Sequence, residues 1–189
     1  GGLNPQGAHV ASFKQPSDNE LDRDYLWRVH HQVPRRGEIG IFNRSHYEDV
    51  GVVRVLELVP AQVWQRRLRH IREFEGMLVD EGTAIVKVWL HISKDEQKER
   101  LQARLREPDK RWKFDRGDLA MRQRWDDFQI AYDHAISQTS TAGAPWYVVP
   151  ADRKWVRDVA VASILVETLE RMDPAYPEPS DDLDGIVIP

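Results

Sequence analysis

The sequence has no cysteine and no long hydrophobic run, and the two absences exclude several classes of protein. Without cysteine there is neither a disulfide scaffold nor a thiolate metal site, although this leaves the cellular compartment open. No run of 18 apolar residues occurs, so no transmembrane helix is predicted, and the N-terminus lacks a signal-peptide pattern. With 41% hydrophobic and 31% charged residues in 189, the chain is predicted to form a globular domain.

A large excess of one charge is also absent. The chain carries 27 basic and 31 acidic residues. Five of the acids lie in the last 17 residues, which contain no lysine or arginine: Asp173, Glu178, Asp181, Asp182 and Asp184. We therefore predict one nearly neutral domain over residues 1–173 and a flexible, acidic, proline-containing tail over residues 174–189. Any basic binding site must then be a local cluster.

Short apolar strands alternate with helical patterns along the chain. The alternation predicts an α/β fold, a parallel sheet flanked by helices. Strands are expected near residues 8–13, 38–42, 84–92 and 146–149. Helices are expected from Ser17 to near Pro34, from His46 to about Leu58, from Pro60 to Gly82, from Ser93 to Pro108, around Trp125–Ile136, and from Lys154 to Met172, the last burying Val159, Ala162, Leu165, Val166 and Leu169.

Polar and charged side chains follow three of the predicted strands. Lys14 follows the first strand, residues 43–45 (Asn-Arg-Ser) follow the second, and residues 151–154 follow the last. In an open parallel sheet, ligands bind in the crevice at the carboxyl ends of the strands. The alternative is an ordinary solvated strand end, or a strand followed by a helix cap, and these residues alone do not exclude it.

A basic block follows the third strand. Between Lys98 and Arg116 there are eight lysines or arginines against four acids, and Arg100 and Arg104 are four residues apart on one helical face. Arginine forks suit phosphate oxygens, and the block includes Trp112, which can shield such a site from water. A solvated charged helix is the alternative. Nucleic-acid binding is not expected, because the block is short and no RNA- or DNA-binding module is visible.

Six segments together resemble the second family of polyphosphate kinases, and the resemblance covers nearly the whole chain in order and spacing. They are GLNPQG (residues 2–7), SFKQP (12–16), DYLWR (24–28), GIFNRSHYED (40–49), PDKRWK (108–113) and APWYVVPAD (144–152). The resemblance implies a P-loop-kinase-like, thymidylate-kinase-like fold. It also implies Mg²⁺-dependent, reversible transfer of the terminal phosphoryl group of inorganic polyphosphate to AMP or ADP.

The resemblance assigns roles to residues near the second strand. Asn43 occupies a position where many members have an aspartate that serves the magnesium site, and Arg44 matches an arginine that meets phosphate. Glu48 and Asp49 match the acidic pair of the subclass that phosphorylates both nucleoside mono- and diphosphates. We expect Lys14, Asn43, Ser45, His46 and Glu48 to contact substrate, and Asn43 with Asp49 to hold the metal ion or its water shell.

The basic block resembles the family's lid, here about residues 94–118, which closes over the phosphates. Arg44, Arg100, Arg104 and Lys113 are the expected catalytic phosphate contacts, and Lys110 and Trp112 are expected to bind substrate. The partners implied are inorganic polyphosphate and AMP, ADP or ATP, with no nucleic acid and no membrane, in a cytoplasmic homo-oligomer. The alternatives are an ATP-dependent nucleotide kinase of related fold, a non-catalytic polyphosphate-binding fragment, and a fragment without any activity.

One family feature is missing from the sequence. Family members carry a Gly-rich Walker A loop with a Gly-Lys-Gly on their first strand, and residues 1–189 contain no such loop. In these kinases that strand lies in the middle of the sheet, between those matching residues 38–42 and 84–92. We therefore expect the native protein to be longer, and this chain alone to be inactive and poorly stable.

Overall fold

The computed structural model describes residues 5–176. Within them four strands alternate with helices, as the sequence predicts. The strands are Ala8–Ser12 (β1), Ile39–Asn43 (β2), Lys87–His91 (β3) and Trp146–Pro150 (β4). The α-helices are Asp18–Leu21 (α1), Trp27–His30 (α2), Val52–Val55 (α3), Ala61–Asp80 (α4), Lys94–Arg106 (α5), Gly117–Gln123 (α6), Trp125–Thr139 (α7) and Lys154–Met172 (α8).

The strands form two parallel pairs. β1 pairs with β2, with Ala8 opposite Ile39, and β3 pairs with β4, with Lys87 opposite Trp146. Within residues 5–176, β2 and β3 do not pair with each other, so each pair is a separate two-stranded sheet. Parallel strands flanked by helices confirm the predicted fold class. The two sheets are separated between β2 and β3, which is where the family resemblance places a central strand. The presence of that strand stays a prediction.

A shared core joins the two sheets. Tyr47 and Val50, which follow β2, are buried against Leu68 and Ile71 of α4 and Ala135 of α7. Trp146 of β4 packs against this cluster, and its ring centroid lies 4.7 Å from that of Tyr47. The segment after β2 is therefore fixed from both sheets.

Two predicted helix boundaries follow from local chemistry. α4 lies between Pro60 and Gly82, whose φ of 90° suits glycine just beyond a helix end. α5 begins after Ser93, whose Oγ accepts a hydrogen bond from the Glu96 backbone N–H at 3.1 Å.

The predicted helix from Ser17 to near Pro34 is wrong, because the structure divides it into α1 and α2. The first turn forms as predicted, and the Ser17 backbone N–H donates to Glu20 Oε2 at 2.7 Å. The chain then leaves the helix, and Asp24 Oδ1 accepts a hydrogen bond from the Leu26 backbone N–H at 3.0 Å. Aspartate side chains compete for backbone donors in this way and favour a new start over a continuous helix. Similarly, the pattern from His46 to Leu58 becomes a 3-10 turn, His46–Asp49, followed by α3.

α8 has the predicted length, but its predicted burial is wrong. None of its residues is buried, and Val159, Leu165 and Val166 are exposed. The apolar periodicity correctly predicts that this segment is a helix. It does not predict burial, because burial also requires a surface that packs against the apolar face. Most of the predicted tail lies outside the described residues. Within residues 5–176, no helix is long and apolar enough to cross a membrane.

Candidate functional site

The carboxyl ends of the strands meet in pairs. The Phe13 backbone N–H donates to Asn43 O at 3.2 Å, which joins the ends of β1 and β2. The Ser93 backbone N–H donates to Asp152 Oδ1 at 2.7 Å, which joins the segments that follow β3 and β4. This bond is the first reason that the pKa of Asp152 lies below its ordinary value. The two hydrogen bonds fix the loops that carry most of the predicted site residues.

Arg44 occupies an unusual backbone conformation at the end of β2. Its φ of 62° lies in the left-handed region, which residues other than glycine rarely adopt and which costs on the order of 1–3 kcal/mol. The chain then turns so that Ser45 Oγ accepts a hydrogen bond from the Tyr47 backbone N–H at 3.3 Å. The Arg44 side chain is 63% exposed, with Nε 3.5 Å from Glu48 Oε1. This arrangement presents a cation to solvent directly beyond a parallel strand.

Glu48 and Asp49 are carboxylic acids in a partly dry environment. Burial raises the pKa of both above their ordinary values. Arg44 and Arg28 oppose the shift at Glu48, and Arg67 and Arg28 oppose it at Asp49. An acidic pair surrounded by arginines can accept hydrogen bonds from a ligand or share a cation.

Asp49 is held by α4. Arg67 Nη1 donates to the Asp49 backbone oxygen at 3.0 Å and lies 3.7 Å from Oδ1. Tyr25 supports Arg67 from the other side, since its hydroxyl donates to Arg67 O at 3.2 Å and its ring lies under the guanidinium. Asp49 Oδ2 is buried and has no hydrogen-bond partner within residues 5–176.

The oxygen donors near β2 suit a magnesium ion in type. Asn43 offers an amide oxygen and Asp49 an unpartnered carboxylate oxygen, and Mg²⁺ prefers hard oxygen ligands. In the described residues no three histidine, cysteine, aspartate or glutamate side chains gather into a metal-binding group. A protein cage is not required, because Mg²⁺ is commonly held by one or two carboxylates together with substrate phosphates.

Arg28 is a residue of the site that sequence reasoning did not single out. It is only 9% exposed, and its Nη1 donates to Lys14 O at 2.8 Å, fixing the end of β1. It is also among the cations that act on Glu48 and Asp49. The available signal was an arginine between the apolar residues Trp27 and Val29 of a predicted helix. The Lys14 side chain is exposed and forms no ion pair within residues 5–176.

The structure places His46, which was predicted to bind substrate, in a buried position. Its Nε2 lies 3.3 Å from Glu75 Oε1, and its contact with substrate stays a prediction. Glu75 also forms an ion pair with Lys87 Nζ at 2.5 Å and accepts a hydrogen bond from the Tyr47 hydroxyl at 2.8 Å. Lys87 Nζ additionally donates to Thr139 O at 2.8 Å. His46 and Tyr47 thus anchor the segment after β2 to α4, β3 and α7.

The predicted lid, about residues 94–118, comprises α5, a 3-10 segment at Pro108–Lys113 and the first residues of α6. The guanidinium of Arg100 already donates hydrogen bonds to other residues of the protein. Its Nε donates to Glu96 Oε1 at 2.8 Å, and its Nη2 donates to Ala151 O at 2.7 Å and to Asp152 O at 3.3 Å. Arg100 therefore ties α5 to the end of β4 in this structure, and its phosphate contact stays a prediction.

The other basic residues of the predicted lid differ in the partners that they contact. Arg104 Nη1 donates to Asp118 Oδ2 at 2.8 Å, and Lys110 pairs with Glu107, whose hydrogen bond raises the lysine pKa. Trp112 is 77% exposed, with Lys113 Nζ 5.0 Å from its ring centroid. Trp112 is thus exposed within the basic block, and its contact with substrate stays a prediction.

A cavity of about 310 Å³ lies where β3 and β4 end. Its lining combines apolar surface with polar groups: His91, Ser93, Pro150, Asp152, Arg153 and Val156. The cavity therefore adjoins the loops that Arg100 holds. Together, the strand ends offer cations, a partly buried acidic pair and a concave surface, which can bind and orient an anionic ligand without a covalent intermediate.

Comparison with known proteins gives a family match over nearly the whole chain. The sequence model of Polyphosphate kinase 2 matches residues 1–177. An AMP/ADP-polyphosphate phosphotransferase from Meiothermus ruber is 63% identical over 187 residues, covering 99% of this chain and 70% of that protein. An ADP-polyphosphate phosphotransferase from Rhodopseudomonas palustris is 48% identical, covering 94% of this chain and 65% of that protein.

A solved structure agrees with these sequence matches. The crystal structure of Polyphosphate Kinase 2 from Arthrobacter aurescens TC1 superposes with a TM-score of 0.92 at 48% identity. It covers 95% of this chain and 64% of the solved one. The chain thus spans about two thirds of the length of these relatives.

Proposed function

Because the chain belongs to the polyphosphate kinase 2 family, we propose that the protein transfers the terminal phosphoryl group of inorganic polyphosphate to AMP or ADP. The observation that carries the proposal is the end of β2. There a strained backbone presents the exposed cation Arg44 beside the partly buried acids Glu48 and Asp49. Phosphoryl transfer needs this kind of positioning and charge cancellation more than it needs a protein nucleophile.

The acceptor nucleotide is proposed to bind around the β1 and β2 ends. Arg44 and Lys14 would neutralise phosphate oxygens, and Glu48 would accept hydrogen bonds from the nucleotide. Arg28 would hold Lys14 and the acidic pair in place, as its bond to Lys14 O supports. Arg67 would do the same for Asp49 from α4.

The lid is proposed to act on the donor side. Arg104 and Lys113 would approach the transferring phosphoryl group, and closing the lid would exclude water and limit hydrolysis of the donor. Arg100, already bound to the end of β4, would fix the hinge of α5 against the cavity there. Lys110 and Trp112 would line the outer part of the same path.

We propose that Mg²⁺ accompanies the phosphates, with Asn43 and Asp49 as its protein ligands, directly or through water. When bound, the ion cancels part of the phosphate charge. Asn43 contributes no charge, so Asp49 would supply the protein's negative ligand.

The phosphate cradle is proposed to require a glycine-rich loop that residues 1–189 do not contain. A strand carrying this loop would fit between β2 and β3, which remain unpaired with each other in the described residues. The backbone N–H groups of such a loop would complete the charge cancellation that Arg44 and the lid begin.

The experiment is a donor comparison with the full-length protein. ATP formation from ADP, and ADP formation from AMP, are measured with polyphosphate as donor and Mg²⁺ present. In parallel, ATP replaces polyphosphate as the donor to AMP. We expect product only with polyphosphate, and loss of product when Mg²⁺ is chelated.

Two results would contradict the proposal. Transfer from ATP at an equal or higher rate would identify an ATP-dependent nucleotide kinase. Salt-sensitive binding of polyphosphate without any turnover would identify a binding protein.

A further inference from the structure

A second cavity, of about 250 Å³, lies between α4 and α7 rather than at the strand ends. We call it the α4/α7 groove. Its lining residues are Gln65, Leu68, Arg69 and Arg72 on α4, and His134 and Gln138 on α7. The α4 residues recur at steps of three and four and the α7 residues are four apart, so each set occupies one helix face. The groove is thus formed by two regular helices rather than by loops.

Every polar side chain that lines the groove can donate hydrogen bonds, and no carboxylate lines it in the described part of the chain. Arg69 Nη1 bonds Glu73 Oε1 at 3.0 Å, but both side chains are half exposed and such a pair is weak. Arg72 forms no hydrogen bond or ion pair within residues 5–176. The groove therefore holds positive charge that its own residues do not cancel.

A third arginine fixes the proton on His134. Arg54 Nη1 lies 3.3 Å from His134 Nδ1. A guanidinium can only donate, so Nδ1 accepts and the ring proton sits on Nε2. His134 then also acts as a donor. Trp64 supports the arrangement, with the Arg54 guanidinium 4.5 Å from its ring centroid and the His134 ring edge-on at 5.7 Å.

We propose that the α4/α7 groove binds a segment of inorganic polyphosphate outside the catalytic site. The inference rests on the proposed function, because polyphosphate is the donor in that reaction. A long polyanion can occupy both places at once, and the second contact raises its effective concentration at the strand ends. Arginine forks and neutral N–H donors match phosphoryl oxygens.

Polyphosphate fits the groove better than a nucleic acid does. Single-stranded nucleic acids are held by large aromatic side chains on which bases stack, and no phenylalanine, tyrosine or tryptophan lines the groove in the described chain. The nearby Trp64 ring is already contacted by Arg54 and His134.

The kinetic test compares long-chain polyphosphate with tripolyphosphate as donors to ADP. In the double variant Arg69→Gln/Arg72→Gln, we expect KM for the long chain to rise about tenfold at low salt, since two charged contacts are lost. We expect kcat, and both constants with tripolyphosphate, to be unchanged. Arg66→Gln is the matched control, because Arg66 is exposed on α4 but does not line the groove. An equal loss with Arg66→Gln, or with tripolyphosphate, overturns the proposal.

Equilibrium binding of labelled long-chain polyphosphate, measured without nucleotide, separates this inference from the proposed activity. We expect the double variant to bind more weakly and with a shallower dependence of log affinity on log salt concentration. If the double variant binds polyphosphate more weakly but the unaltered protein shows no turnover, the proposed activity is contradicted and polyphosphate binding in the groove is still supported. Unchanged binding overturns the groove. If a single-stranded RNA bound as tightly as polyphosphate and lost as much affinity in the double variant, the assignment of the groove to polyphosphate would be overturned.

Discussion

At the scale of residues, the buried pair of Glu75 and Lys87 holds the site in place. Both side chains are less than 10% exposed, and Glu75 also contacts His46 and Tyr47, which directly follow Arg44 and Ser45. Burial lowers the pKa of Lys87, and Glu75 opposes this shift. Two buried charges that depend on each other fix the polypeptide from which Arg44 and Glu48 project.

The first prediction concerns this pair. Glu75→Leu or Lys87→Met alone should lower the free energy of unfolding by about 3–5 kcal/mol, because each leaves a buried charge without its partner. The double variant should lose clearly less than the sum, since no unpaired charge remains. Urea unfolding of the full-length protein measures all three. Additive losses would mean that the pair is not coupled.

The second prediction separates two roles for Arg104, which bonds Asp118 in this structure. If Arg104 contacts the charge of the transition state, Arg104→Ala should raise the activation free energy by about 2–4 kcal/mol and so lower the catalytic rate. Asp118→Asn, which removes the same ion pair, should leave the rate nearly unchanged. Steady-state kinetics of both variants are compared. Equal losses in the two variants would restrict Arg104 to a structural role in the predicted lid.

Single residues were predictable from the sequence where local pattern decides their position. Trp112 was placed by its sequence neighbours in a basic block, where it can shield a phosphate site from water, and the structure shows its ring exposed. The burial of His46 was not predictable, because it depends on Glu75, 29 residues further along. The charged pair did leave a signal, since Glu75 lies in the apolar stripe of α4 and Lys87 lies in an apolar strand.

At the scale of elements, the contact between α3 and α7 depends on a glycine. A Cβ added to Gly51 would lie 2.8 Å from Cζ of Tyr132, whose ring is stacked on Trp89 of β3 at 4.2 Å. That ring cannot move aside without disturbing β3. Gly51, directly before α3, therefore allows the segment after β2 to approach α7 closely.

The third prediction follows from this contact. Gly51→Ala should lower the free energy of unfolding by about 1–3 kcal/mol through overpacking. Gly76→Ala is the matched control, because a Cβ there meets nothing within 4 Å. In the interior of α4 it should raise the stability by about 0.5–1 kcal/mol. Thermal unfolding measures both, and a neutral Gly51→Ala would show that Tyr132 relaxes freely.

Elements were predicted well where periodicity and caps agree, and less well where a side chain interrupts the backbone pattern. All four strands and α4 lie close to their predicted positions. The prediction of one continuous helix after Ser17 is wrong near Asp24, whose side chain accepts a hydrogen bond from a backbone N–H. The exposed face of α8 shows the other limit, because apolar spacing predicts a helix face and not the surface that covers it.

At the scale of the whole molecule, the sheet is divided. β2 and β3 each pair on one side only within the described residues, and the core around Tyr47 bridges the two halves. Unpaired edges inside a parallel fold leave backbone polar groups without partners, which is costly.

The fourth prediction tests this division. Residues 1–189 expressed alone should give no polyphosphate-dependent ATP and should unfold without a sharp transition, because a central strand and its loop are expected to be needed. Calorimetry and a luciferase assay measure the two properties. A cooperative melt together with robust turnover would contradict the need for that strand.

We propose that the residues at the end of β2 stabilise the transferring phosphoryl group. The rate of ATP formation from ADP and polyphosphate, compared between full-length protein with Arg44 and with Arg44→Ala, tests this. We predict rapid, Mg²⁺-dependent formation of ATP with Arg44 and a rate about 10²–10³-fold lower with Arg44→Ala, as for loss of one charge-stabilising donor. Equal rates would contradict the claim.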